Sequence, residues 1–265
     1  MEQNCQNCNT LIINNFCDNC GQKKFKKIDR KYIWDEIQYT FLHTNKGFLY
    51  SIKNIINNPG KTARAFIDGN RVNHYKPILL VFVLSGISTF ISVKIIGFEK
   101  IMSAFYAKET LNSEYMNDVM TSIKSYNSIL MLLLVPVFAL TTKLAFRKWG
   151  NNYYEHVVIN AYIVCVYTLF SIIIISPLLC LFKNNMDYFK MISSLTMLSV
   201  PFILVWFFKG FYPMKSQKSI VGRVLLTFGF LLLLFLLLMI LAVIGVFAYV
   251  IIAGPESIQY FKPQQ

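Results

Sequence analysis

Charged residues are scarce in this sequence, and acidic ones are the scarcest. Only 15% of the 265 residues are charged, whereas a soluble domain usually carries about 25%. Basic residues number 26, acidic residues 13 and histidines 3. The high apolar content excludes a disordered chain, and six cysteines in this length exclude a disulfide-rich secreted domain. The same composition disfavours an ordinary soluble enzyme.

Apolar residues are correspondingly abundant. They account for 55% of the chain, and the mean hydropathy is +0.48. A helix needs about 20 apolar residues to cross a hydrocarbon core of about 30 Å, and its backbone amides must be paired within the segment. The sequence therefore predicts an all-α integral membrane protein with five transmembrane helices, over 78–97, 128–146, 157–182, 191–208 and 224–252.

The basic residues predict an orientation. If the N-terminus is cytoplasmic, the cytoplasmic segments hold 19 Lys and Arg and the outer segments six, while acidic residues divide seven to six. Positive residues concentrate on the cytoplasmic side of membrane proteins, so we expect the N-terminus inside and, after five spans, the C-terminus outside. The polar first 22 residues do not resemble a signal peptide. Lysine outnumbers arginine strongly, which suggests an AT-rich bacterial genome and hence the bacterial cytoplasmic (inner) membrane.

Four of the cysteines form two C-x-x-C pairs near the N-terminus, and Gly21 follows the second pair. Each pair can present two thiolates to one ion, and two pairs complete a tetrahedral sulfur site. We predict a short structural zinc ribbon over residues 1–22, with iron in a rubredoxin-like site as the alternative. Four cysteine ligands leave no open position for water, which favours a structural metal over a catalytic one. The predicted ligands are Cys5, Cys8, Cys17 and Cys20.

A basic run follows the ribbon. One interpretation is a solvated charge run, and another is a patch that binds anionic lipid headgroups, where each basic residue gains about 1 kcal/mol at most. Nucleic-acid binding is a third interpretation, but no further interleaving of aromatic and basic residues supports it. We expect anionic headgroups or a cytoplasmic protein partner. The run consists of Lys23, Lys24, Lys26, Lys27, Arg30 and Lys31.

Three short amphipathic helices are predicted between this run and the first span. Asp29 is a suitable N-cap for the first, and Gly47 separates it from the second. The second begins near Phe48 with one apolar stripe. Asn58 and Pro59 suit the N-cap and first position of the third. We expect these helices to lie in the membrane interface or to pack under the bundle, and a separate soluble domain is the alternative.

The predicted spans lack the residues that membrane enzymes and pumps use. No acidic residue lies in mid-span, and no Ser–His–Asp set, carboxylate pair or glycine-rich phosphate loop is visible. We therefore expect no enzymatic activity. Glu155, His156 and Asn160 occur at the cytoplasmic start of the third span. They are typical of interfacial anchoring and interhelical hydrogen bonds, and the alternative is a small polar pocket open to the cytoplasm.

The N-terminal third of the chain resembles a known family. The two cysteine pairs precede the run HTNKGFLYSIKNIINNPGKTARAFIDGNRVNHYKP at 43–77, and NYYEHVV follows at 152–158. These segments resemble a bacterial family of uncharacterised membrane proteins with an N-terminal zinc ribbon. Ser51 and Asn70 stand where the family pattern has Thr and Lys.

The resemblance covers residues 5–77 well and 152–158 weakly. It implies membrane location and a zinc ribbon, and it implies no activity. The predicted topology is also distantly similar to the five-span Yip1-type fold, but topology alone does not give function.

The domain prediction has four parts: a ribbon over 1–22, juxtamembrane helices over 23–76, a bundle over 77–252 and an outer tail over 253–265. We expect a non-enzymatic scaffold or interaction protein. The alternatives are a transporter or lipid-moving protein and a membrane-tethered nucleic-acid binder. No feature of the sequence predicts an oligomeric state.

Overall fold

A computed structural model describes residues 3–5, 7–21, 47–71, 74–98, 101 and 113–262. The basic run predicted at 23–31 and the amphipathic helix predicted after Asp29 lie outside the described residues.

Within the part of the chain that the structure describes, five helices are long and apolar enough to cross a membrane, as predicted. The helices are α3 (Pro77–Phe90), α4 (Glu114–Ala145), α5 (Tyr153–Phe170) with α6 (Ser176–Leu181), α7 (Met186–Phe211) and α8 (Gln217–Ala253). Helix α3 continues through a π-helical turn, Ile91–Ile96, and helix α5 continues through a second one, Ser171–Ile175, into α6.

The helices extend beyond the apolar runs that predict them. Helix α7 begins at Met186 rather than 191, because the Asn185 side chain accepts hydrogen bonds from the backbone N–H groups of Asp187 and Tyr188. Helix α4 begins at Glu114, well before the predicted start at 128. Hydropathy marks only the length of helix that lipid covers, whereas backbone hydrogen bonding continues into the polar flanks.

Two short helices, α1 (Gly47–Asn57) and α2 (Pro59–Ile67), precede the first span. Asn58 caps α2, and its Oδ1 accepts a hydrogen bond of 3.0 Å from the backbone N–H of Lys61. Helix α2 packs against α7 and α5, and α1 packs against α5. Both helices therefore lie under the bundle, against the end where α5 begins and α7 finishes.

The main hydrophobic core lies at this same end of the bundle. Ile55 of α1 and Ala63 of α2 are fully buried there. Phe146, which follows α4, stacks on Phe208 of α7 with ring centroids 4.2 Å apart. The Phe66 ring of α2 meets Tyr162 of α5 edge-on. A smaller core occupies the opposite end and consists of Ile96, Ile175, Leu179, Phe189 and Ile192.

Candidate functional site

A two-stranded hairpin positions the first cysteine pair. Strands β1 (Gln3–Asn4) and β2 (Leu11–Ile12) are antiparallel, with Gln3 opposite Ile12. The backbone N–H of Cys5 donates to the carbonyl of Thr10 at 2.8 Å. The first C-x-x-C turn is thus the connection of a closed hairpin, which directs both of its sulfurs to one side.

Both cysteine pairs share one backbone geometry. The N–H of Asn9 donates to the carbonyl of Cys5, and the N–H of Gly21 donates to the carbonyl of Cys17, each at 2.9 Å. Asn9 and Gly21 both have left-handed φ angles, of 62° and 73°. Glycine adopts this region freely, and asparagine is among the residues that tolerate it. Sequence reasoning found the glycine and missed Asn9, although each residue directly follows the second cysteine of its pair.

The four sulfurs converge on one point. Cys8 Sγ lies 3.4 Å from Cys20 Sγ and 3.5 Å from Cys17 Sγ, and the Cys5 and Cys20 sulfurs are 3.5 Å apart. All four lie within 4.8 Å of one another. Tetrahedral zinc with Zn–S bonds of about 2.3 Å requires sulfurs about 3.8 Å apart. The cysteines are therefore spaced to bind one metal ion, and the donor set fits a thiophilic metal.

Hydrogen bonds around the sulfurs favour thiolates unequally. The backbone N–H of Asn7 donates to Cys5 Sγ at 3.4 Å. The Thr10 hydroxyl, 3.3 Å from Cys8 Sγ, is the main reason that the pKa of Cys8 falls to about 6. The backbone N–H groups of Cys20 and Asn19 lower the pKa of Cys17, but desolvation and the neighbouring sulfurs of Cys8 and Cys20 outweigh them and raise it to about 11. Cysteine ligands bind a metal as thiolates, so one cation shared by the four sulfurs would stabilise all of them in the thiolate form.

The three polar residues predicted at the start of the third span do not form one cluster, because His156 and Asn160 share one set of contacts and Glu155 makes another. His156 and Asn160 are buried and meet Thr142 of α4. The Asn160 Nδ2 donates to Thr142 Oγ1 at 2.7 Å, and His156 Nδ1 lies 3.1 Å from the same hydroxyl. Thr142 was not predicted, because a threonine in an apolar run has no distinguishing sequence signal. Ligand binding by this group stays a prediction.

Glu155 takes part in a separate network at the end of the bundle. It completes a capping box with Asn152, and its Oε2 accepts a hydrogen bond from Asn151 at 2.8 Å. The Tyr212 hydroxyl donates to Asn151 Oδ1 at 2.7 Å, and Lys143 Nζ donates to the Asn151 carbonyl. Burial raises the pKa of Tyr212, so its hydroxyl stays a donor. The network ties the ends of α4, α5 and α7 together.

Comparison with known proteins gives one result for this chain. A family described as "Protein of unknown function (DUF3667)" matches residues 45–89. A search of curated proteins and a search of solved structures each found no match. The matched residues span α1, α2 and most of α3, so the chain is similar to a family of unknown function where two amphipathic helices lead into the first span.

Proposed function

We propose that this protein is a non-enzymatic membrane scaffold or interaction protein of the bacterial inner membrane, with a structural zinc ribbon in the cytoplasm. The convergence of four cysteine sulfurs within 4.8 Å carries the proposal. Because all four donors are cysteines, the site has no position for a reacting water. This arrangement favours a metal that holds a binding surface in shape.

Zinc suits the ribbon because the segment is too small to fold unaided. Among the described residues of the segment, the buried core consists of Cys5, Ile12 and Cys17, with Cys8 packed against them. Three buried side chains supply little hydrophobic stabilisation, whereas zinc binding to such sites supplies on the order of 10 kcal/mol. When bound, the ion would cross-link the two cysteine pairs. In larger domains a hydrophobic core holds such segments together.

The scaffold role rests on the contrast between the two parts of the chain. The five spans are anchors of high hydropathy, and their packed ends are closed by hydrophobic and hydrogen-bonded contacts. The ribbon and the basic run at 23–31 supply the surface for a cytoplasmic protein partner or for anionic headgroups. The excess of basic residues in the proposed cytoplasmic segments supports this orientation.

Metal analysis of the full-length protein tests the ribbon. We expect about one zinc per chain in protein purified with intact thiols, and loss of the metal from Cys17→Ser. Cys180→Ser is the matched control, because Cys180 lies in α6 and not in the ribbon. Both variants should remain in the membrane fraction. Protein with intact thiols that holds neither zinc nor iron would contradict the metal site, and bound iron would replace zinc with the rubredoxin-like alternative.

Affinity capture tests the scaffold role. The full-length protein and a variant lacking residues 1–31 are compared for captured proteins and for binding to anionic vesicles. We expect the truncated variant to lose specific partners while it stays in the membrane. Identical partners and identical vesicle binding would contradict an interaction role for the ribbon and basic run.

A lipid-moving protein is the second candidate, and the π-helical turns favour it. Ile91–Ile96 and Ser171–Ile175 widen two spans, and Ile96 and Ile175 belong to the same small core. Such turns are frequent at functional sites. Reconstituted protein should then accelerate the transfer of fluorescent lipids between leaflets. Transfer at the rate of empty vesicles would eliminate this candidate.

A further inference from the structure

A basic groove lies where α2 meets the end of α7. Its volume is about 520 Å³. Among the described residues that line it, three are cations and none carries a carboxylate. The lining residues are Asn58, Lys61, Arg64, Trp206, Lys209, Gly210 and Pro213. None of these described lining residues belongs to the cysteine site.

Two glycines allow the helices that form this groove to approach each other closely. A Cβ atom on Gly60 would lie 2.0 Å from the carbonyl oxygen of Phe207, and one on Gly210 would lie 2.5 Å from Asn58 Oδ1. The backbones of α2 and α7 are therefore in direct contact, which leaves no room for side chains between them. This contact sets the distance between the backbones that carry the two cations of α2 and Lys209 of α7.

The cations are partly preorganised. The Nζ of Lys209 donates to the carbonyls of Pro213 and Lys215, each at 3.0 Å, so its charge is held at the end of α7. Arg64 pairs through Nε with the exposed carboxylate of Asp68 at 2.9 Å, which leaves the donors of its two Nη groups for another acceptor. Lys61 is exposed. Three cations around one space suit an anion with several oxygens, such as a phosphate.

An apolar stripe on α7 runs into the groove. Leu195, Leu198, Phe202 and Trp206 are spaced three or four residues apart, so they share one face of the helix. All four are exposed, with Phe202 at 78% and Trp206 at 44%. Tryptophan is enriched at the level of lipid headgroups, and basic pockets between membrane helices bind anionic headgroups. An acyl chain on the stripe would bring its phosphate to the three cations.

We propose that this groove binds the headgroup phosphate of an anionic phospholipid, whose acyl chain lies along the Leu195–Trp206 stripe. The cations of α2 and α7 bind the phosphate together, so an occupied groove joins the amphipathic segment to the fourth span. The proposal requires insertion in the membrane, but it is independent of the ribbon, its metal and any protein partner.

Lipid retention measured by native mass spectrometry tests the groove. The full-length protein in detergent is titrated with phosphatidylglycerol and, separately, with phosphatidylcholine. The variant Lys61→Gln/Arg64→Gln removes two groove cations, and Lys53→Gln/Lys218→Gln removes two exposed cations elsewhere. We expect phosphatidylglycerol affinity to fall about tenfold in the groove variant and to stay unchanged in the control, because each cation contributes a factor of a few.

Two further measurements separate the lipid from other anions. Phosphatidylglycerol with a photoreactive acyl chain should cross-link to the α7 stripe in the control variant and less in the groove variant. Equal loss of affinity in both variants, or equal affinity for phosphatidylcholine, would overturn the proposal. Complete displacement by an equal concentration of inorganic phosphate would also overturn it, since the ligand would then be a free phosphate.

Discussion

At the residue scale, Gly60 and Gly210 determine how closely the amphipathic segment approaches the bundle. Either glycine changed to alanine would push α2 away from α7, because the added Cβ meets backbone or the Asn58 cap. We expect Gly60→Ala to cost about 1–3 kcal/mol, the usual range for overpacking. Thermal unfolding in detergent and limited proteolysis of 47–76 measure it.

Gly222→Ala is the control for this prediction. Gly222 lies in α8 with nothing within 4 Å of its added Cβ, so the change should be neutral or stabilising. A Gly60→Ala protein that is as stable and as protease-resistant as the control would contradict the close contact.

Gly21 is the second residue whose conformation matters. Its left-handed φ of 73° strains any residue with a Cβ, although the space around it is open. In the proposed zinc ribbon, folding would be coupled to metal binding, so we expect Gly21→Ala to weaken zinc affinity about fivefold, which corresponds to about 1 kcal/mol of strain. Competition with a chromogenic chelator measures it. Asn9→Gly, at the equivalent left-handed position, should bind zinc at least as tightly, and a loss there would contradict the shared geometry.

The Tyr212 hydroxyl connects the end of α7 to the loop before α5 through a hydrogen bond. Its hydrogen bond to Asn151 is buried, so Tyr212→Phe leaves a buried amide oxygen without its donor. We expect a loss of about 1–3 kcal/mol in thermal unfolding. Tyr154→Phe is the matched control because Tyr154 is 79% exposed. Equal stability of the two variants would contradict a structural role for the network.

At the element scale, α1 is held against the start of α3 by Ser51 and His74. Ser51 Oγ accepts a buried hydrogen bond of 2.7 Å from the backbone N–H of Tyr75, and the His74 ring meets Tyr50 at 5.6 Å. Burial lowers the pKa of His74. The unfolded segment therefore binds the proton more readily, and its docking weakens as the pH falls below about 6.5, the ordinary histidine value.

The pH dependence of docking is checked by limited proteolysis of 47–76 between pH 8 and 5. We expect cleavage to increase at the acidic end in the native protein. His74→Phe keeps an aromatic ring beside Tyr50 but cannot titrate, so its cleavage should depend less on pH. The same pH profile in both proteins would contradict the role of His74.

Elements were predictable from sequence where one local property decides them. The five spans follow from apolar length, and the start of α2 follows from Asn58 and Pro59. The π-helical turn at Ser171–Ile175 was not predictable, because hydropathy does not indicate which backbone carbonyl each N–H group bonds to. The Gly60–Gly210 contact and the groove beside it were missed because they join distant segments, and neither glycine is unusual within its own helix.

At the scale of the whole molecule, the distribution of charge predicts the orientation. The segments predicted to be cytoplasmic carry 19 of the 26 basic residues. We expect an N-terminal tag to be protected from an impermeant reagent in intact spheroplasts and a C-terminal tag to be labelled. Disruption of the membrane should expose both tags. Labelling of the N-terminal tag in intact spheroplasts would reverse the topology.

The docking of α2 on α7 also has a consequence for biogenesis. The ribosome makes Gly60 first and reaches Gly210 only after 150 more residues. At about 5–20 residues per second, this takes roughly 8 to 30 s. During that time the side of α2 that later packs on α7 lacks its partner helix, so the membrane surface or a chaperone must shelter it. The packing of α2 is thus completed by the fourth span, and a nascent chain stalled before α7 would keep this side of α2 exposed.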